Sequence, residues 1–126
     1  MFVDFNKYNN EIDAVHLNED KDVLVLQTSL YKITLTAYGD CCSCSIFEKF
    51  KENDFNHLIG KIIKKIKEIK FPADYDYEEY RDDFYEVATP HLYEITFKNS
   101  DETFQFMLVN YSNGYYDGYM TTDIVL

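Results

Sequence analysis

Cysteine and histidine side chains are the groups in this sequence that could carry nucleophilic or metal chemistry. Two of the three cysteines are adjacent, in the turn Asp40-Cys41-Cys42-Ser43. A cysteine nucleophile needs a neighbouring base and a group that orients the base. Cys42 could be that nucleophile, with His57 or His91 as its base, and Asp40 would then orient the histidine. No sequence pattern brings either histidine to the turn, so a thiol-dependent enzyme is an alternative hypothesis rather than the leading one.

A metal site is the second chemical option. Zinc takes four Cys or His ligands in structural sites, and the three cysteines with one histidine reach that number. Adjacent cysteines at a strand end point to opposite sides, however, which does not suit one tetrahedral site. The carboxylates between Asp74 and Glu79 lack the glycine that an EF-hand loop needs at its sharp turn. We therefore predict no metal and no cofactor.

Size and charge restrict the class of protein. The 126 residues, of which 46% are hydrophobic, predict a single domain spanning 1–126. The net charge of −11 argues against direct binding of nucleic acid or anionic membrane, since both require a basic surface. No segment approaches the ~20 apolar residues of a membrane span, and no secretory signal is visible. The odd cysteine count favours reduced thiols, so we expect an intracellular location.

Alternating apolar residues predict several strands. The clearest alternation runs from Tyr31 to Tyr38, where every second residue is apolar, as expected of a half-buried strand. Shorter patterns predict strands over 14–17, 23–26 and 45–48.

The last third of the chain predicts an antiparallel meander. Alternation returns over 93–97, 104–108 and 119–125, and Asn113-Gly114 is a strong hairpin signal.

Helical signals are few. Asn53 or Asp54 could cap a short helix that runs through Leu58 and ends at Gly60. Residues 61–70 have isoleucines at helical spacing, but β-branched side chains favour a strand in the later half. Residues 74–86 could form a short amphipathic helix or an irregular excursion. Together the patterns predict an α+β fold: a single, meander-rich antiparallel β-sheet with one or two short helices.

Three landmarks of the sequence are Tyr38-Gly39-Asp40-Cys41-Cys42-Ser43, Leu58-Ile59-Gly60-Lys61 and Ser112-Asn113-Gly114-Tyr115-Tyr116. They resemble a family of small uncharacterised phage and viral proteins, classed as a domain of unknown function. The resemblance covers roughly residues 11–120. It implies a viral accessory protein, located in the host cytoplasm or the virion, and it assigns no catalytic residue.

Two departures from that family stand out. Its members commonly place an aromatic residue, often tryptophan, shortly after the cysteine pair, and in this chain Phe47 takes that place. The acidic, tyrosine-rich stretch 71–90 is predicted to be an insertion.

Tyrosine and acidic residues supply the leading functional hypothesis. Tyrosine gives a binding surface apolar area with a polar tip. The predicted binding residues are those of the acidic stretch and of the last hairpin: Tyr75, Asp76, Tyr77, Glu79, Tyr80, Asp82, Tyr115, Tyr116 and Tyr119. We expect a non-enzymatic accessory protein that binds a host or viral protein, and a basic partner would suit the acidic residues. The same tyrosines could instead stabilise the sheet through cross-strand pairs.

A small-ligand binder is the alternative from a different class. It would be an oligomer that sequesters a nucleotide signal, and its pocket would need positive charge. Residues 61–70 are the concentrated source of lysine in the sequence. A homo-oligomer is therefore possible under either hypothesis.

Overall fold

Antiparallel strands dominate the computed structural model, which describes residues 2–40, 43–75, 87–112 and 117–126. One turn of 3-10 helix, Phe55–Leu58, lies among them. The nine strands of these residues are β1 Phe2–Asp4, β2 Ala14–Leu17, β3 Val23–Gln27, β4 Lys32–Gly39, β5 Cys44–Lys49, β6 Ile63–Ile69, β7 Val87–Phe97, β8 Thr103–Ser112 and β9 Gly118–Val125.

The strands form two sheets. Sheet A has five strands in the order β1-β6-β7-β8-β5, and sheet B has four in the order β2-β3-β4-β9. All neighbouring strands pair antiparallel. The chain therefore leaves sheet B after β4, builds most of sheet A, and returns to sheet B with its last strand.

The period-two pattern of the sequence determines which face of each strand is buried. In β4 the side chains of Ile33 and Leu35 are buried, while Thr34 and Thr36 between them are half-buried on the other face. The predicted strands over 14–17, 23–26, 31–38 and 45–48 are confirmed, with ends that shift by one residue at most. The strands predicted over 93–97, 104–108 and 119–125 are confirmed, but the predicted meander is wrong. β7 and β8 pair in sheet A, whereas β9 pairs with β4 in sheet B, so the connection that contains Asn113-Gly114 does not join neighbouring strands of one sheet.

The main hydrophobic core lies between the sheets. Phe47 of β5 and Phe106 of β8 are fully buried there, with ring centroids 5.9 Å apart in an edge-to-face arrangement. Leu24 and Leu35 of sheet B belong to the same cluster. Burying a side chain of this size stabilises a fold by about 1.5–3 kcal/mol. The core therefore requires both sheets.

A second, smaller core covers the opposite face of sheet A. It contains Phe50, Leu92 and Met107, and the segment after β6 packs onto it. The rings of Phe71 and Tyr75 stack with centroids 4.8 Å apart, and the Tyr75 hydroxyl donates to Met107 Sδ at 3.4 Å. The start of the acidic stretch is thus packed against the sheet.

The expectation of an α+β fold with a single sheet is wrong. The described residues form two sheets, and they contain no α-helix. Alternation along a strand shows that one face is buried, but it does not show which strands are neighbours. Residues 87–112 therefore looked like a continuation of the first sheet, whereas they form the middle of a second sheet that covers it.

The helix predicted from Asn53 or Asp54 to Leu58 is reduced to one turn. The Asp54 carboxylate accepts from the backbone N–H of Asn56 at 2.8 Å and caps that turn. Ile59 is already extended and Gly60 has a positive φ of 88°. The predicted cap and stop signals are real, but they lie too close together for an α-helix.

Residues 63–69 form strand β6, as the β-branched isoleucines predicted. Ile63 and Ile66 are buried in the main core. A register shift between Ile63 and Lys65 interrupts the pairing with β7. Because of this irregularity, Ile63 and Ile66 both face the core although they are three residues apart, which is a spacing typical of a helix. Most of the second predicted helix, over 76–86, lies outside the described residues.

Pro90 lies inside β7, although the sequence predicted that Pro90 closes the insertion 71–90. It is opposite Val109 of β8. The pairing of β7 with β6 begins only at Leu92, so β7 has a free edge on that side at Pro90. A proline without an N–H is tolerated at such a position.

Two glycines allow the sheets to approach closely. Gly39 of β4 and Gly118 of β9 are directly opposite each other in sheet B. A Cβ on Gly39 would lie 2.6 Å from Ser43 Oγ, and a Cβ on Gly118 would overlap Ser45 Oγ. The Gly118 position would also place Cβ only 3.0 Å from a methyl carbon of Leu108. Ser45, Leu108 and Asn110 of sheet A, together with Ser43 of the adjoining turn, therefore rest directly on the glycine backbone.

We predict that Gly118→Ala lowers the free energy of unfolding by about 1–3 kcal/mol, because the added methyl group overpacks this contact. Chemical denaturation monitored by circular dichroism measures the change. In the background of Ser45→Ala, which removes the overlapping hydroxyl, the cost of Gly118→Ala should be smaller. An equal cost in both backgrounds would show that Ser45 does not contact Gly118.

Candidate functional site

Six strand termini meet at one end of the two-sheet structure, which we call the loop end. Gly39 lies opposite Gly118, Val87 opposite Ser112, and Cys44 opposite Tyr111. The connections 40–43, 70–86 and 113–117 all join strands whose adjoining ends lie at this end. The cysteine turn, the acidic stretch and the connection that contains Asn113-Gly114 therefore begin or end at the same place.

His91 lies at the base of the loop end, between two carboxylates. Its Nδ1 is 2.9 Å from Glu68 Oε2, and its Nε2 is 2.8 Å from Asp117 Oδ1. Glu68 comes from β6 and His91 from β7 of sheet A, while Asp117 directly precedes β9 of sheet B. The same Asp117 oxygen accepts from the backbone N–H of Gly118 at 2.7 Å. The imidazole therefore joins the two sheets.

This arrangement favours the charged imidazolium. Burial would lower the pKa of His91, but the hydrogen bonds to Asp117 and Glu68 and their negative charges outweigh it, so the pKa is raised. Two ionised carboxylates accept at both nitrogens only if the ring carries both protons. Neither nitrogen is then free to act as a general base.

Tyr93 lies beside this cluster and is buried. Burial raises the pKa of its phenol far above its ordinary value, and the charges of Glu68 and Asp117 raise it further. The phenol therefore stays protonated at every pH near neutrality. It supplies packing against Phe106, with ring centroids 5.5 Å apart, rather than proton transfer.

A buried amide connects the cysteine turn to the sheet. Asn110 is fully buried, and its Nδ2 donates to Ser43 Oγ at 3.1 Å and to Ser45 Oγ at 2.9 Å. The Ser43 hydroxyl in turn donates to the carbonyl of Asp40 at 2.7 Å. The ends of the turn, Asp40 and Ser43, are thus fixed by hydrogen bonds. Cys41 and Cys42 between them lie outside the described residues.

Two exposed tyrosines lie on sheet B at the loop end. Tyr119, a predicted binding residue, is 52% exposed, and its ring stacks on Tyr38, which is 45% exposed, with centroids 5.4 Å apart. Tyr75, also predicted to bind, instead packs against Phe50 with centroids 5.1 Å apart. The other predicted binding residues lie outside the described residues: Asp76, Tyr77, Glu79, Tyr80, Asp82, Tyr115 and Tyr116.

The histidines considered for catalysis do not come together. His57 lies in the 3-10 turn, close to Phe97 at the far end of β7, whereas His91 lies near the start of that strand. Within the described ranges no three His, Cys, Asp or Glu side chains form a metal-binding group. In the same ranges no helix is long and apolar enough to cross a membrane.

Sequence reasoning missed Glu68, Asp117 and Asn110. Glu68 and Asp117 are 23 and 26 residues from His91 in the chain, and no local pattern connects them. The available signal was a polar residue on the buried face of a strand. Asn110 continues the buried alternation of Phe104, Phe106 and Leu108, which marks it as a polar group that requires partners.

Comparison with known proteins identifies one relative. The chain is 33% identical to the uncharacterised protein L278 of Acanthamoeba polyphaga mimivirus over 116 residues, which cover 87% of this chain and 84% of that protein. The chain therefore belongs to the family of this uncharacterised viral protein. No family model matches the chain, and no solved structure matches it. The turn at Asp40–Ser43 and the motif at Asn113–Tyr116 therefore stay predictions as signatures of a family.

The raised pKa of His91 predicts a dependence of stability on pH. A group whose pKa is higher in the folded than in the unfolded state contributes stability below the unfolded value, about 6.5 for histidine. That contribution is lost as pH rises through the folded pKa. Stability should therefore decline from slightly acidic to alkaline pH, and His91→Gln should remove this part of the decline.

An NMR titration of the imidazole resonances tests the cause directly. We expect the His91 midpoint above the ordinary value for histidine, assigned by comparison with His91→Gln. A His91 midpoint at or below that value would contradict the arrangement between the two carboxylates.

Proposed function

We propose that this member of a viral protein family is a non-enzymatic binding protein that contacts a host or viral protein through its loop end. The observation that carries the proposal is the convergence of the cysteine turn, the acidic stretch and the β8–β9 connection at that end. Connections at one end of a β-scaffold commonly carry binding residues, because the sheets hold them in place while their sequence varies.

The residue types at the loop end suit protein recognition. The sequence from Tyr111 to Tyr119 contains four tyrosines, two glycines with Asn113, and no lysine or arginine. Tyrosine with Ser, Gly and Asn is the composition that binding loops use, since tyrosine gives much contact area at low entropic cost. The stacked Tyr38–Tyr119 pair supports this interpretation, because both rings are large, exposed and held in one orientation.

The charge of the loop end indicates the kind of partner. Asp40, Asp74 and Asp117 are exposed, and the sequence of 76–86 adds further acids. His91 offsets one of the carboxylates that it touches. A partner with a basic surface fits this charge, and its affinity should fall as salt rises.

The geometry gives no support for the thiol-dependent enzyme. His91 has both nitrogens engaged by carboxylates, and His57 lies at the other end of the structure. A Cys42 nucleophile would need one of these rings free and close.

We expect the triple variant Asp40→Lys, Asp76→Lys and Asp82→Lys to lose its partner when the tagged protein is captured from infected cells. The variant reverses the sign of charge at the loop end, so a basic partner is repelled. Quantitative mass spectrometry of the captured proteins measures the loss.

A matched control makes the same change of charge at the opposite end. Glu11, Glu52 and Asp101 are exposed and lie near the 3-10 turn or the β7–β8 turn. Glu11→Lys, Glu52→Lys and Asp101→Lys together should retain the partner. Equal recovery of one partner with both triple variants would exclude the loop end as the binding surface.

A specific observation also supports the alternative of an anionic small ligand. Lys21, Lys49 and Lys51 line a groove of about 530 Å³ that has Phe47 and Phe55 among its apolar residues. Lys21 and Lys51 have positive φ values of 61° and 56°, and no other non-glycine residue of the described chain does. Each left-handed residue costs about 1 kcal/mol. Two lysines that line one groove thus have a backbone conformation that favours glycine, in a protein of net charge −11.

The groove differs from the source of charge that the sequence indicated. Residues 61–70 contain five lysines. One of them, Lys61, donates to the Glu102 carboxylate at 2.9 Å, so a negative charge already accompanies its ammonium group. Burial raises the pKa of Glu48 in the groove, and the charge of Lys21 opposes that rise. Asp54 lines the groove as well, so a nucleotide would meet two carboxyl groups beside the three lysines.

We predict that ATP at millimolar concentration raises the melting temperature of the protein and that Lys21→Gly abolishes this shift. The glycine also relieves the left-handed strain, so the ligand-free variant should be more stable by about 1 kcal/mol. Lys70→Gly, a lysine outside the groove, should retain the shift. No shift by ATP in the native protein would count against the groove as an anion site.

A further inference from the structure

The edge of β9 differs from the other sheet edges. Sheet A ends at β1 and β5, and sheet B ends at β2 and β9. β1 has three residues and β2 has four. β5 carries lysine at its end, and the Phe47 N–H on it donates to the carbonyl of Lys21 at 2.6 Å. These three edges are short or partly covered, as edges of natural sheets usually are.

β9 has none of these protections. It is eight residues long, Gly118–Val125, and contains no lysine, arginine or proline. Its register with β4 runs unbroken over all eight residues, so no bulge twists it away. An edge of this kind is ready to pair with another strand.

The hydrogen bonding of β4 shows which groups of β9 face outwards. The Ala37 N–H donates to the carbonyl of Asp22 at 2.8 Å, so the backbone of Ala37 faces β3 and not β9. Met120 is opposite Ala37, and in an antiparallel pair the bonded residues alternate. The N–H and C=O groups of Met120, Thr122 and Ile124 therefore point away from β4, to the free edge. The Gly118 N–H is also on this side, but Asp117 already accepts from it.

We propose that two copies of this chain form a symmetric dimer by pairing their β9 strands antiparallel, with the two-fold axis at Thr122. In that register Thr122 lies opposite Thr122 of the second copy, and Met120 lies opposite Ile124. The three outward-facing residues of each copy then form about six backbone hydrogen bonds. The two copies of sheet B become one continuous sheet.

The side chains of β9 are self-complementary in this register. On the outer face Tyr119 lies beside Val125 of the second copy, and these are exposed by 52% and 49% in the single chain. An aromatic ring beside a β-branched residue is a favourable cross-strand pair. Thr121 lies beside Asp123 of the second copy, where its hydroxyl can donate to the carboxylate. No like charges are directly opposite.

An unpaired hydroxyl gives independent support. Thr122 Oγ1 is buried and has no hydrogen-bond partner among the described residues, which is costly for a polar group. In the dimer, rotation about the Cα–Cβ bond can turn it from the interior to the second Thr122 across the two-fold axis, and Thr–Thr hydrogen bonds are a recognised cross-strand contact. The dimer therefore provides a partner for a group that the single chain leaves without one.

Sedimentation equilibrium tests the proposal, with an expected mass of twice the 15.0 kDa chain. Thr122→Pro removes an N–H that points to the free edge, so it should give a monomer that keeps the strands of the native protein by circular dichroism. The matched control is Val15→Pro on the β2 edge, where the bond from Asn18 N–H to the carbonyl of Val23 leaves Val15 facing outwards. This control should remain a dimer.

Thr122→Val provides a second variant that keeps the backbone intact. It removes only the hydroxyl, so the dimer should dissociate about five-fold more readily, the effect of about one hydrogen bond. A native protein that sediments as a monomer, or a dimer that Thr122→Pro leaves unchanged, would overturn the proposal.

Discussion

The close contact between the sheets at Gly39 and Gly118 is the constraint on which the rest of the structure depends. Because neither residue has a Cβ, Ser45, Leu108 and Asn110 of sheet A can rest on the backbone of sheet B. This approach brings Asp117 within hydrogen-bond distance of His91. The same contact brings the termini of β4, β5, β8 and β9 together, so the loop end exists because the glycines permit it.

The polar groups beneath the loop end hold the loops in place and are not arranged to catalyse a reaction. His91 bridges two carboxylates across the sheets, and Asn110 holds the serines that flank the cysteine turn. These hydrogen bonds hold the loops above them, although the buried Asn110 Oδ1 has no partner among the described residues. A binding surface benefits from such support because less entropy is lost on binding. The proposed β9 dimer would relate two such surfaces by a two-fold axis, and it would place Tyr119 of each surface beside Val125 of the second copy.

The sequence predicted individual strands better than their assembly. Alternation identified β4 and β8 because a half-buried strand has a period of two. It could not show that Ser45 lies opposite Asn110, or that β9 returns to β4, because pairing depends on contacts far apart in the chain. Asp54 and Gly60 were identified correctly as start and stop signals, but they enclose a single 3-10 turn rather than an α-helix. The carboxylates around His91 could not be predicted at all, since Glu68 reads as an ordinary charge in a lysine-rich strand.

The contact between the sheets can be measured by nuclear Overhauser effects in the isotopically labelled protein. We predict strong effects between the Leu108 methyl groups and the Gly118 α protons, and between the Asn110 side-chain amide and the Gly39 α protons. If both are absent while the effects between β4 and β9 within sheet B are present, the sheets do not meet at the glycines. That result would contradict the dependence of the loop end on the glycine contact.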